Sequence, residues 1–373
     1  MRIDRKLFVL GTRGVPAQHG GFETFAEKLA LYLVGKGWEV VVYCQENGSG
    51  AQYETEWKGV KRIHIPVEGD GAASTVFFDW KTVSDALNRQ GLFLTLGYNT
   101  AIFNFLQRLK GQTNIINMDG IEWRRDKWGM LAKTWFWLNE RAGCWFGTHL
   151  VADHPEIKTH LATRVSASKI TMIPYGADSV SDADSSVLDE FSIEKNNYSI
   201  IIARPEPENS ILEMVSAFSS KPRGHKLVVL GSYDQKGNEY HRKVISAASD
   251  EVIFVGAIYE VEVVKALRFY ARFYLHGHRV GGTNPSLVEA MGAGSAVIAH
   301  DNRFNRWVAG PGAHYFSDVR SCAELFDELL EAYREISIMK EASLSRFCEK
   351  FTWEQVLGDY EALLERYLPK SDL

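Results

Sequence analysis

The sequence predicts an α/β protein built as two βαβ units in tandem, each a parallel sheet dressed by helices. Three observations carry this. Short apolar runs alternate with helical patterns over most of the 373 residues. The runs are continuously apolar, as in strands buried on both faces. A polar stretch, SVSDADSSVLDEFSIEKNN at 179–197, interrupts the alternation, which then restarts. Length alone allows roughly two to three domains.

In chain order, strands are expected at 7–10, 39–44, 62–66, 92–96, 114–118, 149–152 and 170–174, and after the polar stretch at 198–203, 226–230, 252–255, 273–276 and 296–300. The last segment, 351–368, carries Trp353, Val356, Leu357, Tyr360, Leu363 and Leu364 at helical spacing. Such a helix needs a surface to bury against, and the first domain is available. The expected division is a first domain over 1–178, a linker over 179–197, a second domain over 198–350, and a helix over 351–373 that returns to the first domain.

Composition narrows the function. With 45% hydrophobic and 24% charged residues the chain is a globular protein, and a net charge of -5 leaves no electrostatic footprint for nucleic acid. Cys44, Cys144, Cys322 and Cys348 lie far apart without a C-x-x-C pair, so neither a zinc site nor a disulfide framework is expected. A reduced compartment fits. A strand begins by Leu7 without a signal-peptide apolar region, and no run reaches the ~20 apolar residues that span a bilayer. A cytoplasmic protein is expected.

The stretch LFVLGTRGVPAQHGGFETFAEKLALYL, 7–33, breaks from an apolar run into a glycine-rich loop and then a helical pattern. Gly20-Gly21 lets backbone N–H groups approach another molecule closely, although a plain strand-to-helix turn would look similar. A second constellation, HGHRVGGTNPSLVEAMGAGSAVIAHD at 276–301, places a Gly-Gly turn after a strand, then Ser286 as a helix N-cap and Glu289 on the first turn. Amides at such a helix start form an anion site. Glu289 would repel a phosphate, so it either accepts hydrogen bonds from neutral hydroxyls, such as those of a ribose, or complements the helix dipole.

With these segments together, the chain resembles the retaining nucleotide-sugar glycosyltransferases of GT-B architecture, family four: two Rossmann-like domains facing across a cleft. GTRGVPAQHGGFETFAEKL and HGHRVGGTNPSLVEAMGAG are similar to a bacterial branch that contains dTDP-rhamnose-dependent rhamnosyltransferases of surface-polysaccharide synthesis, such as O-antigen or capsule. ITMIPYGAD at 170–178 resembles the interdomain segment, and SIIIARPEPENSILEMVSAF the opening of the donor-binding domain. The resemblance implies transfer of L-rhamnose from dTDP-L-rhamnose to a lipid-linked saccharide with retained configuration. A UDP-sugar donor is the alternative. It implies donor contacts from Gly20, Gly21, Arg204, Gly282, Thr283, Asn284, Ser286, Leu287 and Glu289. Amides of Gly20-Gly21 would face the leaving diphosphate across the cleft, where negative charge grows. No covalent nucleophile is evident, so front-face attack is expected, with the departing phosphate taking the acceptor's proton.

Two departures stand out. Asn209 occupies the place of a lysine that the broad family often has five residues after the arginine, and Gly281 the place of an earlier glutamate credited with contacts to donor sugar hydroxyls. A 6-deoxy sugar is compatible with that second loss.

Other candidates rest on position. NMDGIEWRRDKW, 117–128, follows a first-domain strand, so Asp119 or Glu122 could deprotonate or orient an acceptor hydroxyl, or each could cap a helix or pair with Arg124 and Arg125. His19 is a further catalytic candidate, and Tyr98 and Asn99 follow a strand on the acceptor side. His276 and His278 lack further metal-ligand spacing, and Asp182-Ala183-Asp184 spells D-x-D only inside the polar linker. Neutralisation by amides and arginine implies neither metal nor cofactor. From Trp123 to Phe146, five tryptophans interleave with basic residues, a pattern that suits either a lipid headgroup region at the inner membrane or a buried helix.

Competing classes are a two-domain sugar-nucleotide epimerase, which needs no acceptor, a catalytically silent sugar-binding protein, and a Rossmann oxidoreductase. GTRGVP does not supply G-x-G-x-x-G, which disfavours the last.

Overall fold

The computed structural model describes residues 5–18, 20–69 and 71–368. The chain divides into two compact units, one running to Pro174 and taken up again from Trp353, the other Tyr175–Thr352.

The first unit holds β1 (Lys6–Leu10), β2 (Glu39–Asn47), β3 (Tyr53–Trp57), β4 (Val60–Val67), β5 (Leu92–Leu96), β6 (Asn114–Asn117), β7 (His149–Ala152) and β8 (Ile170–Met172). They form one sheet in the order β3-β4-β2-β1-β5-β6-β7-β8. All pairings are parallel except β3 with β4. Because β1 pairs on both edges, Leu7 opposite Val40 and Leu92, its side chains are buried on both faces, and it reads as an unbroken apolar run. The exception, β3, was not anticipated. Its sequence YETEW is largely exposed at the sheet edge, and it is joined to β4 by Lys58 and Gly59 at φ 49° and 81°, the left-handed pair of a tight hairpin.

The helix Trp353–Glu365 belongs to this unit. Its Tyr360 ring packs 4.6 Å from that of Phe25, and its hydroxyl accepts a hydrogen bond from Asn117 at 2.8 Å. Glu361 accepts from Tyr32 at 2.9 Å and from the Trp38 indole at 3.3 Å.

The second unit holds β9 (Tyr198–Ile202), β10 (Lys226–Leu230), β11 (Val252–Gly256), β12 (Phe273–His276), β13 (Ala296–His300) and β14 (His314–Phe316), in the order β11-β10-β9-β12-β13-β14 and parallel throughout. β14, three residues long, is too short to show a pattern in sequence.

The polar segment 179–197 is part of this unit rather than a linker. Leu188 and Ile193 enter the core with Tyr198, Val228 and Tyr274, and Tyr270 donates its hydroxyl to the Ala183 carbonyl at 2.6 Å. A few apolar residues among many Ser and Asp suffice to dock it. Residues 175–178 go with the second unit as well: the Ala177 amide bonds the Phe351 carbonyl at 2.9 Å. The D-x-D carboxylate of Asp184 is spent on a local turn, accepting from the Ser186 amide and hydroxyl at 2.9 and 2.8 Å.

Candidate functional site

In an open parallel sheet, ligands bind outside the carboxyl ends of the strands where the strand order reverses. The first unit reverses at β1, which lies between β2 and β5, and the second at β9, which lies between β10 and β12. The residues singled out from sequence fall after β1, β5 and β6 in the first unit and after β9 and β12 in the second.

After β1 the chain turns at Gly11, φ 75°, where an added Cβ would stand 2.3 Å from the Leu96 carbonyl oxygen, so only glycine fits. The loop is stapled to the helix Gly20–Gly35: Glu27 accepts from the Ala17 amide at 2.7 Å, and Glu23 from the Arg13 amide at 3.4 Å. Gly20 opens the helix at φ 74°, exposed, and Gly21 is half-buried. His19 lies outside the described residues. Beside the loop is a recess of about 270 Å³ lined by Arg13, Gln18, Glu23, Gln45, Asn47 and Arg62. Buried Arg62 Nε and Gln45 Oε1 meet no hydrogen-bond partner among the described residues. Nothing in the sequence pointed to this recess, because its polar groups come from the loop after β1, the helix that follows it, β2 and β4.

After β5 comes Tyr98, which is buried rather than open to an acceptor. Its hydroxyl donates to the Gly120 carbonyl at 3.0 Å and accepts from the Glu122 amide at 2.8 Å, tying the loop after β5 to the loop after β6. Asn99 is exposed, and its carbonyl accepts from the Trp135 indole at 2.8 Å. Glu122 is also engaged: one carboxylate oxygen accepts from Arg125 at 2.8 Å and the other from the Trp128 indole at 3.2 Å. It therefore shapes the loop and is a poor base.

Asp119 is different. Its backbone sits at φ 46°, a conformation L residues other than Asn and Asp rarely adopt, held by the Asn117 side chain, which accepts the Asp119 amide at 3.0 Å. Burial, with the neighbouring Glu122 charge adding to it, pushes its carboxyl up to about 6. A strained residue carrying a carboxylate poised near neutrality is what acid–base or orienting roles require. Tyr98→Phe should release this loop. The expected loss is about 1–2 kcal/mol of stability from two buried groups left unpaired, with a fall in turnover and little change in nucleotide affinity, read by denaturant unfolding and steady-state kinetics.

In the second unit, Arg204 stands exposed at the end of β9. Asn209, where a lysine was looked for, is buried and donates to the Arg204 carbonyl at 2.8 Å, so it holds the arginine's turn instead of adding charge. Arg279 joins this turn to the loop after β12: its amide donates to the Glu208 carbonyl at 2.9 Å, its Nε to Ser210 Oγ at 2.7 Å, and its guanidinium pairs with Glu213. It is thereby committed to structure. Gly277 permits this close approach, since a Cβ there would lie 2.1 Å from the Asn209 carbonyl oxygen and 2.6 Å from Met214. Gly277→Ala should force the two loops apart and cost about 1–3 kcal/mol in denaturant unfolding, with nucleotide affinity falling alongside.

The helix Pro285–Gly292 is capped by Asn284, whose side chain accepts the Ser286 amide at 3.0 Å; Ser286 is not the cap. Ser286 Oγ instead meets the Tyr274 hydroxyl at 2.7 Å and Arg268 at 3.3 Å, and the Leu287 side chain is wholly in the core. With the Ser286 and Leu287 amides both bonded to Asn284, the anion site expected at this helix start loses two of its donors, and in the turn before it Gly282 is half-buried and Thr283 buried. Glu289 lies past the first turn, which carries no acidic residue, so it does not serve the dipole there. It pairs with Arg268 at 2.5 Å, an orienting partner that sequence did not reveal because it sits on another helix, yet about a third of the Glu289 side chain stays exposed. Neither ring nitrogen of buried His276 meets a partner among the described residues. Burial holds the ring well below its usual pKa and neutral, stacked 4.3 Å from His278. No group of three or more His, Cys, Asp or Glu among the described residues could hold a metal ion.

Comparison with solved structures decides the architecture. A sucrose-phosphate synthase from Thermosynechococcus elongatus superposes with a TM-score of 0.80 at 15% identity, covering 97% of this chain and 98% of that one. The fold is that of the GT-B glycosyltransferases. Anabaena Alr3699/HepE in complex with UDP-glucose gives 0.76 at 13% identity, covering 97% and 99%. A glycosyltransferase from Rickettsia africae gives 0.71 at 12%, covering 97% and 98%. Residues 4–178 match a family described as a domain of unknown function, DUF1972. No curated protein sequence matches significantly.

Proposed function

We propose that this protein is a retaining glycosyltransferase that moves a sugar from a nucleoside diphosphate to a lipid-linked saccharide. The observation that carries the reading is the arrangement at the reversal point of the second sheet: exposed Arg204 follows β9, and the segment after the adjoining β12 brings the Gly282-Thr283 turn and then a helix bearing Glu289, about a third exposed, whose Ser286 hydroxyl lies 3.4 Å from the Ile202 carbonyl at the end of β9. An arginine and backbone amides suit a diphosphate, and a carboxylate suits the ribose hydroxyls. Similar folds support it: HepE is known in complex with UDP-glucose. The preferred donor is dTDP-L-rhamnose, on the resemblance of the two motif segments, with a UDP-sugar as the alternative.

In the first unit, ionised Asp119 receives the acceptor hydroxyl and aims it, while the recess beside the glycine loop, with its unpartnered Arg62 and Gln45 atoms, takes the hydroxyls of the acceptor saccharide. Gly20 and Gly21 offer amides to the leaving phosphate. The C–O bond to the departing diphosphate breaks as the acceptor oxygen attacks from the same face, and the acceptor's proton passes to the departing phosphate oxygen. Amides and Arg204 neutralise that group, so the step is proposed to run without a divalent metal or cofactor.

A panel of dTDP- and UDP-sugars tests this. Release of nucleoside diphosphate from one donor, stimulated by a lipid-linked saccharide, is expected. Epimer interconversion without release would mark an epimerase, and no reaction with any donor a silent binding protein.

A further inference from the structure

The helix Met130–Phe146 is amphipathic the wrong way round. Its buried residues are Asn139, Glu140, Ala142, Gly143 and Cys144, whereas Leu131, Leu138 and Trp145, at seven-residue spacing along one stripe, face solvent. Leu131 is 90% exposed, Met130 79% and Trp145 59%. A helix packed on a globular core normally buries its apolar stripe. The adjoining helix Asn104–Leu109 extends the surface, with Phe105 and Leu109 exposed and the Phe105 ring 5.2 Å from that of Phe146. Contiguous apolar surface of this kind marks a docking face.

Charge identifies what docks. Across residues 101–146 the acidic residues are Asp119, Glu122, Asp126 and Glu140. Glu140 is buried against His160 and Arg164, Glu122 pairs with Arg125, and Asp119 is drawn into the loop after β6, which leaves Asp126 as the exposed one. On these two helices and the segments flanking them stand Arg108, Lys110, Lys127, Lys133 and Arg141: Lys110 donates to the Leu87 carbonyl at 2.9 Å, Lys133 lies 3.7 Å from Asp126, and Arg141 is laid 3.4 Å over the Trp137 ring. In a chain of net charge -5, this face is locally basic. Exposed Leu and Trp on a segment that also carries Lys and Arg match the boundary between headgroups and acyl chains, and no helix among the described residues is long and apolar enough to cross the bilayer.

We infer that the face formed by helices Asn104–Leu109 and Met130–Phe146 docks on an anionic lipid bilayer, inserting Leu131, Leu138 and Trp145 while the basic residues meet the headgroups. The inference rests on the reading of a lipid-linked acceptor and names the surface that would bring the protein to it.

The test is co-sedimentation of the full chain with vesicles of phosphatidylcholine alone and of equal parts phosphatidylcholine and phosphatidylglycerol, with neither donor nor acceptor present. Binding to the anionic vesicles is expected. It should weaken about tenfold or more in the double variant Leu131→Glu with Trp145→Glu, and about fivefold per charge in Arg108→Glu and Lys133→Glu, at unchanged melting temperature and unchanged donor hydrolysis. Absence of vesicle binding by the parent chain overturns the inference, as does binding indifferent to these substitutions. A dimer that Leu131→Glu turns into monomer, without vesicle binding, also overturns it and assigns the face to a second copy. Transfer to a detergent-dispersed acceptor is scored separately, so the docking face and the transfer reaction can fail independently.

Discussion

Asp119→Asn is expected to lower turnover by about a hundredfold or more while leaving nucleotide affinity unchanged. The substitution is close to isosteric, and asparagine tolerates the left-handed backbone at φ 46°, so the loop keeps its shape and only the charge is lost. The parent protein should lose activity as pH falls through about 6, where the carboxyl takes up its proton, and the variant should lack that acid limb. Stability should move the other way. Burial pushes the folded carboxyl up to about 6 from its ordinary value of 3.8, which the unfolded chain keeps, so the folded state binds more protons between these values, and stability falls as pH rises from about 4 to about 6. Above that range the penalty for holding a buried carboxylate is constant. Asparagine has no such penalty, so at neutral pH the variant should be about 3 kcal/mol more stable, an advantage that disappears below about pH 4. A less active, more stable enzyme without the acid limb is the signature of a group held in place for chemistry. An inactive variant that is also less stable would mean Asp119 serves the fold.

Glu289→Ala is expected to weaken dTDP binding tenfold to a hundredfold, the scale of hydrogen bonds from sugar hydroxyls to a charged carboxylate. Arg268 complicates the simplest reading, because removing Glu289 also removes that guanidinium's partner. Arg268→Met separates the two: if Arg268 only orients the carboxylate, its loss should cost less affinity than loss of Glu289 itself. Equal losses would show that the ion pair, and no contact with ribose, is what matters. Calorimetry on folded variants distinguishes these outcomes.

Continuous apolar runs such as LFVL at 7–10 could be read as strands because parallel strands buried on both faces have no polar alternation to obscure them. The edge strand YETEW, exposed and paired on one side, carries no such signal. The same contrast separates the site residues. Backbone requirements were legible: glycine at Gly11 and the turn at 281–284 reflect local geometry. Partnerships were not, since they depend on tertiary neighbours. Tyr98 looked like an acceptor contact and is a strut between two loops; Glu122 was open to a role as base, as helix cap or as partner of the adjacent arginines, and it pairs with Arg125 while its other oxygen takes the Trp128 indole, a partner the sequence did not indicate. Ser286 looked like a helix cap two residues from the true one, Asn284, because either residue type can cap and only the backbone decides. The polar stretch at 179–197 misled because composition averages over residues, whereas Leu188 and Ile193 suffice to anchor it.

Sugar transfer is tested most directly by following the anomeric carbon. The protein is incubated with dTDP-L-rhamnose isotopically labelled at that carbon and with a lipid-linked saccharide fraction, and the label is located by NMR. The prediction is that the label leaves the nucleotide, appears in a glycosidic bond of the lipid-linked product with its configuration retained, and does so about a hundredfold more slowly with Asp119→Asn. Label that stays on the nucleotide, unchanged or epimerised, with this donor and with UDP-sugars alike, would contradict the account.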